Sequence, residues 1–491
     1  MQEMTRSPEK SAVIPAAARL QELLRRGQSW GLLEFFALTI YLSSALLFIP
    51  GAQAARTAIR SLPYLFSLAM LAWTLAAATS AGRGWPGRWI LLAAILTLTL
   101  GLAHPQSNLI SGLAQIVLQI SIAAPAWWAA AQPVGKRRLE RFLTLVFIAN
   151  AASAAIGLLQ IYYPDRFMPP EFSREAMRAN PELLRALSFT GNDGRTFIRP
   201  PGLTDFPGGA CAGCANTILL GLLMGLQAGV SIPRRFIYLG LGGVALVTLY
   251  LTQVRSMLLM SIVGCAAMCL LLVRQRQLLQ SGLMAGVGAG MLAVTFLAAA
   301  AIGGKSIIER FSILFDDRVA ENLYASRGIF LEYTFRHLIF EFPLGAGLGR
   351  WGMMRSHFIG FDPNPTQAIW VEIQVTGWLI DGGIPLMIAY ILAISAAMHR
   401  LYSLTHPNRG GPLAYSAAVI FCLNLFMIGQ ANAGPSFNSI GGLQFWLCTA
   451  VILAAEKHYA LLARIHRAGE GQRRRTVAGD LNFAQASGSN V

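Results

Sequence analysis

Little of this chain is charged. Only 13% of its 491 residues are Asp, Glu, Lys or Arg, against 55% that are hydrophobic, and the mean hydropathy is +0.52. That balance excludes a water-soluble fold, because a polar shell cannot cover so many apolar side chains. It also supplies many windows long enough to cross a bilayer. Acidic residues are scarcer than basic ones, 23 against 39. The middle apolar windows hold no succession of Asp, Glu and His such as a proton-coupled pump needs. Cysteine is sparse too: Cys211, Cys214, Cys265, Cys269, Cys422 and Cys448 all fall in or beside apolar windows. The one C-x-x-C, Cys211 to Cys214, opens a Gly/Ala-rich helix with no companion histidine pair, so it reads as small residues at a helix contact rather than a zinc or redox site. No repeat relates the two halves, and no cleavable signal segment precedes the first apolar window, which is expected to act as a signal anchor.

What is present is a series of twelve apolar windows, at 30–50, 62–81, 89–103, 109–131, 142–162, 208–230, 236–253, 257–273, 278–303, 378–398, 413–431 and 439–455. They predict an all-α, polytopic membrane helical bundle of about 12 transmembrane helices. The expected organisation is a cytoplasmic tail (1–29), helices one to five (30–162), a loop (163–207), helices six to nine (208–303), a large loop (304–377), helices ten to twelve (378–455) and a basic tail (456–491). The polar end segments 1–28 and 469–491 are expected to hang free.

Orientation follows from basic residues. The connectors after helices two, four, six, eight and ten hold Arg83, Arg88, Lys136, Arg137, Arg138, Arg141, Arg234, Arg235, Arg274, Arg276, Arg400 and Arg409, whereas the alternate short connectors offer Arg56, Arg60 and Arg255. The positive-inside rule makes the first set cytoplasmic, together with both termini. The net charge of +16 is then accounted for by basic loops beside an anionic leaflet, and no nucleic-acid partner is expected. Glu34, near the cytoplasmic end of the first helix, is expected to snorkel to the interface.

Both long loops fall on the other, extracytoplasmic side. Within the second, "ASRGIFLEYTFRHLIF" has apolar residues at helical spacing and predicts an amphipathic helix near the interface. "PLGAGLGRWG" follows as a Pro/Gly stop able to bring backbone close to a ligand. Arg255, in "YLTQVRSMLLMSIVG", sits at the outer mouth between helices seven and eight and shares that side with Arg195, Arg199, Arg318, Arg327, Arg336, Arg350 and Arg355. Positive charge is usually scarce there, and the guanidinium fork pairs bidentately with phosphate oxygens, so an anionic, pyrophosphate-bearing substrate is expected.

Four segments in order, "IRPPGLTDFPGGACAG", "TQVRSMLL", "SRGIFLEYTFRHLIFEFPLGAGLGRWG" and "VEIQVTGWLIDGGIPLMIAYIL", resemble the O-antigen ligase and O-antigen polymerase superfamily of membrane glycosyltransferases. The family has an R-x-x-G segment before a helix, an arginine heading a helix, an arginine-led amphipathic helix running into a P-x-G-x-G-x-G loop, and an acidic residue followed by glycines. The resemblance covers roughly 199–392 and implies a GT-C-like bundle in a bacterial inner membrane. It implies a polyprenyl-pyrophosphate-linked glycan as donor and a glycan, lipid or protein as acceptor, with a flippase and a chain-length regulator as companions. No cofactor and no metal is implied, and a DxD sugar-nucleotide motif is absent; Asp316 and Asp317 are a poor substitute.

Carried over, the resemblance makes Arg255 and Arg327 the pyrophosphate ligands, with Arg199, Arg336, Arg350, His337 and Asp381 as further substrate-binding candidates. Glu372 stands where ligases of the family place a histidine, nine residues before the acid Asp381 and its glycines. Glu372 could serve as the base that deprotonates the acceptor hydroxyl, could orient the sugar, or could pair with Arg327 or Arg350 to fix the loop. His337 and His357 are the other candidate bases, each read first as interfacial. The departure at Glu372 weakens the ligase assignment in favour of a polymerase or another branch of the superfamily, and a transporter or flippase is the rival class.

Overall fold

A computed structural model of the chain describes residues 29–49, 51–77, 85–169, 188–190, 196–204, 206, 208–312, 321, 324–358, 369 and 371–487. Every one of the twelve apolar windows coincides with a helix: α1 (Leu32–Leu42), α2 (Arg56–Ala76), α3 (Gly87–Leu100), α4 (Leu109–Ala123), α5 (Lys136–Tyr162), α6 (Gly209–Gly225), α7 (Ile232–Leu251), α8 (Arg255–Arg274), α9 (Leu278–Gly303), α10 (Gln374–Leu404), α11 (Ala414–Gln430) and α12 (Ile440–Ser487). Among the described residues nine helical segments are long and apolar enough to cross a membrane, and the segments containing α1, α3 and α6 are shorter apolar helices. The protein is a multi-pass, all-α helical bundle.

Several boundaries differ from expectation. α2 starts at Arg56, drawing Arg56 and Arg60 into its first turns. α5 starts at Lys136, so the basic run 136–141 is helical. α12 continues through Ser487, so most of the expected tail extends the last helix; the N-terminal tail lies outside the described residues. The loop after α5 carries an antiparallel pair of three-residue strands, β1 (Ser188–Thr190) and β2 (Thr196–Ile198), the only strands among the described residues.

Glu34 does not snorkel. It is fully buried, and Arg138, 3% exposed, holds it with Nε at 3.0 Å from Oε1 and Nη2 at 3.0 Å from Oε2. Arg141 adds a contact at 3.4 Å, and Arg138 Nη1 donates to the Pro133 carbonyl. A bidentate, charge-assisted pair keeps an ion inside the bundle where reaching for water would leave its partner alone.

α6 is the central helix, buried along nearly its whole length against α5, α7, α8 and α11. Glycine makes that possible: a Cβ on Gly221 would stand 2.7 Å from the Tyr238 carbonyl of α7. Cys211 and Cys214 are buried, unbridged thiols on this contact surface, as small residues there should be.

Alternate connectors gather at opposite ends. At one end Gln275 after α8 donates to Thr405 after α10, and Gln280 at the start of α9 donates to Leu226 after α6. At the other end Asn108 before α4 donates its backbone N–H to Leu348 between α9 and α10, Gln253 before α8 donates to Ser306 after α9, and Gln374 opening α10 donates to Ala431 after α11. The sequence-predicted functional residues lie toward this second end.

Candidate functional site

The segment between α9 and α10 builds most of the site. From 324 to 341 it is one continuous helical arm, a helix as the spacing predicted, and its interior alternates between π-type turns (Tyr324–Gly328, Thr334–Leu338) and α-turns. Its inner face is Thr334 and Leu338, with Thr334 Oγ1 2.6 Å from Thr376 Oγ1 of α10. Its outer face exposes Ile329, Tyr333 and Phe340, the apolar half of an amphipathic helix.

Pro343 to Gly352 follows as a tight loop with Gly345, Gly347, Gly349 and Gly352 all at positive φ. The close approaches of the first three are to protein. A Cβ on Gly345 would meet the Gly382 Cα at 3.1 Å, one on Gly347 the Ser107 Oγ at 2.8 Å, and one on Gly349 would collide with Ser111 Oγ. The glycines let the loop wedge between α4 and α10.

α10 is itself broken where the loop arrives. Gly382 (φ −156°, ψ 20°) and Gly383 (φ 68°, ψ −162°) leave the helical region just before Pro385. Each half-helix end therefore has unpaired backbone groups, and the loop takes them up. The Ala346 N–H donates to the Ile380 carbonyl at 2.7 Å, and the Ile384 N–H donates to the Pro343 carbonyl at 2.9 Å. Irregular backbone inside an apolar span is tolerated only where protein satisfies it in this way.

Asp381, the last residue before the break, is 2% exposed. Its Oδ2 accepts from Gln115 Nε2 of α4 at 2.5 Å, and its Oδ1 accepts from the Trp351 indole N–H at 2.7 Å. Gln115 Oε1 accepts from the Gly349 N–H at 3.2 Å, and Ser111 Oγ donates to the Gly349 carbonyl at 3.1 Å. Arg350, between those two anchored residues, donates Nη1 to the Ala346 carbonyl and to Gln106. Burial, and then the neighbouring Arg355, push its guanidinium pKa down from the ordinary value. The loop end thus carries crowded positive charge.

Glu372 and Arg327 are brought together. Arg327 Nη1 donates to Glu372 Oε2 at 2.7 Å, with the two side chains 41% and 27% exposed, so this pair fastens the start of the arm to the strand of chain entering α10 while staying open to water. Arg336 and His337 go elsewhere: both are exposed, Arg336 pairing with Glu332 one turn earlier at 2.8 Å and the His337 ring lying tilted against Tyr333 at 5.2 Å between centroids. His357 is exposed, edge-on to Phe358. Asp316, Asp317, Arg318 and Arg195 lie outside the described residues.

Arg255 is the first residue of α8, preceded by Gln253 in the left-handed region (φ 56°). Among the described residues no hydrogen bond or ion pair takes up its half-buried guanidinium. A cation at a helix N-terminus opposes the helix dipole, so the position favours an anion beside it. Two residues on, Met257 meets Gln430 at the end of α11, and Ala431 accepts from Gln374, two residues beyond Glu372. Arg255 and Glu372 therefore flank one junction of α8, α11 and α10.

Arg199 leads from β2 to α6, its carbonyl accepting from the Gly208 N–H. The glycine of its R-x-x-G segment, Gly202, is clamped by Gln160 of α5, which accepts from the Gly202 N–H at 2.8 Å and donates to its carbonyl at 3.0 Å.

Sequence reasoning passed over these amides. Asn108, Ser111, Gln115 and Gln119 recur every three or four residues through helix four, a polar stripe visible in the sequence. Gln119 continues it inward, donating to Asn438 and accepting from the Tyr390 hydroxyl, both at 2.7 Å.

Comparison with known proteins returned no match, either to a protein-family model or to a curated protein. Among the described residues no group of three or more His, Cys, Asp or Glu stands close enough to share a metal ion.

Proposed function

We propose that this chain is a membrane glycosyltransferase that polymerises polyprenyl-pyrophosphate-linked glycan, or ligates it to an acceptor, on the extracytoplasmic face of a bacterial inner membrane. The observation that carries the reading is Arg255, unpartnered among the described residues at the head of α8, at the bundle end where Arg327, Arg350 and Glu372 also gather. An anionic leaving group is what such a set of guanidiniums is suited to hold.

In this reading Arg255 and Arg327 bind the pyrophosphate of the donor. The acceptor hydroxyl attacks the anomeric carbon from the opposite side, with inversion. Its new bond to carbon forms as the bond from carbon to pyrophosphate oxygen breaks, and polyprenyl pyrophosphate departs with its developing charge offset by the arginines. Glu372 takes the hydroxyl proton once the incoming pyrophosphate draws Arg327 away from it, or else orients the acceptor while remaining paired, the proton then passing to an oxygen of the departing pyrophosphate.

The test is glycan transfer by purified protein in liposomes, with lipid-linked repeat units, EDTA and Arg255→Ala as control. A ladder of products that disappears in the variant supports a polymerase. A single transfer onto added lipid A core or protein supports a ligase.

The break in α10 favours a second reading, a transporter of lipid-linked glycan, because interrupted helices are a common device of alternating access. Its signature is movement of glycan into the liposomes with no new glycosidic bond. Capping of both broken ends by one loop favours a fixed break, and so the enzyme.

A further inference from the structure

We propose that Asp381 is a positioning residue, acting on substrate only through the glycine loop, and that its carboxylate can trade places with the amide of Gln115. The inference rests on the glycosyltransferase reading for what Arg350 does, and on geometry alone for what Asp381 holds.

The hydrogen bonds here form one chain. Two neutral donors, the Gly349 N–H and the Trp351 indole N–H, point inward from either side of Arg350. Between them stand Gln115 and Asp381. Gln115 accepts from Gly349 and donates to Asp381, and Asp381 accepts from both Gln115 and Trp351. Both carboxylate oxygens are engaged and the residue is 2% exposed, so neither faces the open side where a sugar or phosphate would arrive. The Asp381 carbonyl lies against α3, 2.5 Å from where a Cβ on Gly101 would stand, so the node is closed from that side as well.

What the node fixes is the loop residue between its two donors. Gly349 and Trp351 are tied to α4 and α10, and Arg350 is carried between them with its guanidinium turned back to Ala346 and toward Gln106. Asp381 sets where that guanidinium stands without touching what it binds.

The chain of donors and acceptors has a strict parity. With Asp381→Asn, residue 381 must accept twice while owning one acceptor oxygen, so whichever way the two amides flip, one donor faces another donor. With Gln115→Glu, two buried carboxylates face each other and the chain closes only while they share a proton taken up from solvent. With both substitutions the chain closes again: the carboxylate now at position 115 accepts from Gly349 and from the new amide at 381, whose oxygen accepts from Trp351. All three hydrogen bonds return with the negative charge moved to α4.

Hydrogen exchange of the 343–351 amides and glycan-transfer kinetics, both on the full-length protein, test this with Asp381→Asn, Gln115→Glu and the double variant. Asp381→Asn should exchange at least tenfold faster in that loop and show a donor KM raised several-fold at unchanged acceptor KM, whereas Gln115→Glu should do so only at a pH high enough to remove the shared proton. The double variant should return to within about threefold of wild type in both. A double variant as labile as Asp381→Asn overturns the proposal, as does one with a protected loop and no transfer, which would make the carboxylate at 381 itself a substrate ligand. If Asp381→Asn does not fold, Trp351→Phe removes one donor only, and an unchanged loop exchange rate there also overturns it. Wild-type protein that transfers no lipid-linked glycan defeats the glycosyltransferase reading, while the exchange arm still decides what Asp381 holds.

Discussion

Two ion pairs in this protein are chemically alike and physically opposite. Glu34 and Arg138 are buried at 0% and 3%, bidentate, with the remaining guanidinium nitrogen on a carbonyl. Arg327 and Glu372 share one contact at 2.7 Å and are both partly open to water. The first pair cannot be opened without leaving a charge in an apolar interior, so its role is to hold α1 to α5. The second can exchange its partner for an incoming anion at small cost. Where a carboxylate–arginine pair is placed decides whether it belongs to the scaffold or to the chemistry.

That contrast orders the expected effects. Arg138→Ala should be the most damaging change, lowering stability by up to about 3–5 kcal/mol because the buried Glu34 carboxylate is left with only the longer Arg141 contact and the Gly31 N–H, as read from thermal unfolding in detergent. Arg327→Ala should leave that midpoint almost in place yet lower glycan transfer on the order of 100-fold, the scale of losing one charge-stabilising group at a leaving group. Gly383→Ala places a side chain at φ 68° against the Pro343 carbonyl and should cost roughly 1–3 kcal/mol, with loop 343–351 exchanging faster. Arg255→Lys, a point charge in place of a fork, should lower transfer about tenfold and leave folding alone. Glu372→Gln should shift stability by less than about 1 kcal/mol, because a partly exposed pair contributes little. Equal destabilisation by Glu372→Gln and Arg138→Ala would erase the distinction between the two pairs.

The apolar helices were legible because hydropathy reports what surrounds a segment, and among the described residues nine segments are long and apolar enough to carry the imprint of a bilayer. The amphipathic arm was legible for a related reason: Thr334 and Leu338 stand four residues apart on the inner face, and Ile329 and Tyr333 four apart on the outer one. The break in α10 was half legible, since Asp381-Gly382-Gly383-Ile384-Pro385 is a strong interruption signal inside an apolar window. That Pro343 and Ala346 would cap it was not, because a backbone partner so far away along the chain has no local signature. The same holds for Glu34, whose burial depends on Arg138 being 104 positions distant. In the site, the loop glycines were read as room for a ligand; the room three of them make is for Ser107, Ser111 and Gly382. Periodicity reveals that backbone must come close to something without revealing to what.

The capped break in α10 also bears on how the chain is made. Its two halves expose backbone groups that lipid cannot satisfy, so α10 cannot enter the bilayer as a finished span by itself. The capping loop and α4, on which that loop is anchored, both lie earlier in the chain and are synthesised first. The receiving surface can therefore be standing when α10 emerges from the ribosome, and the order of translation doubles as the order of assembly.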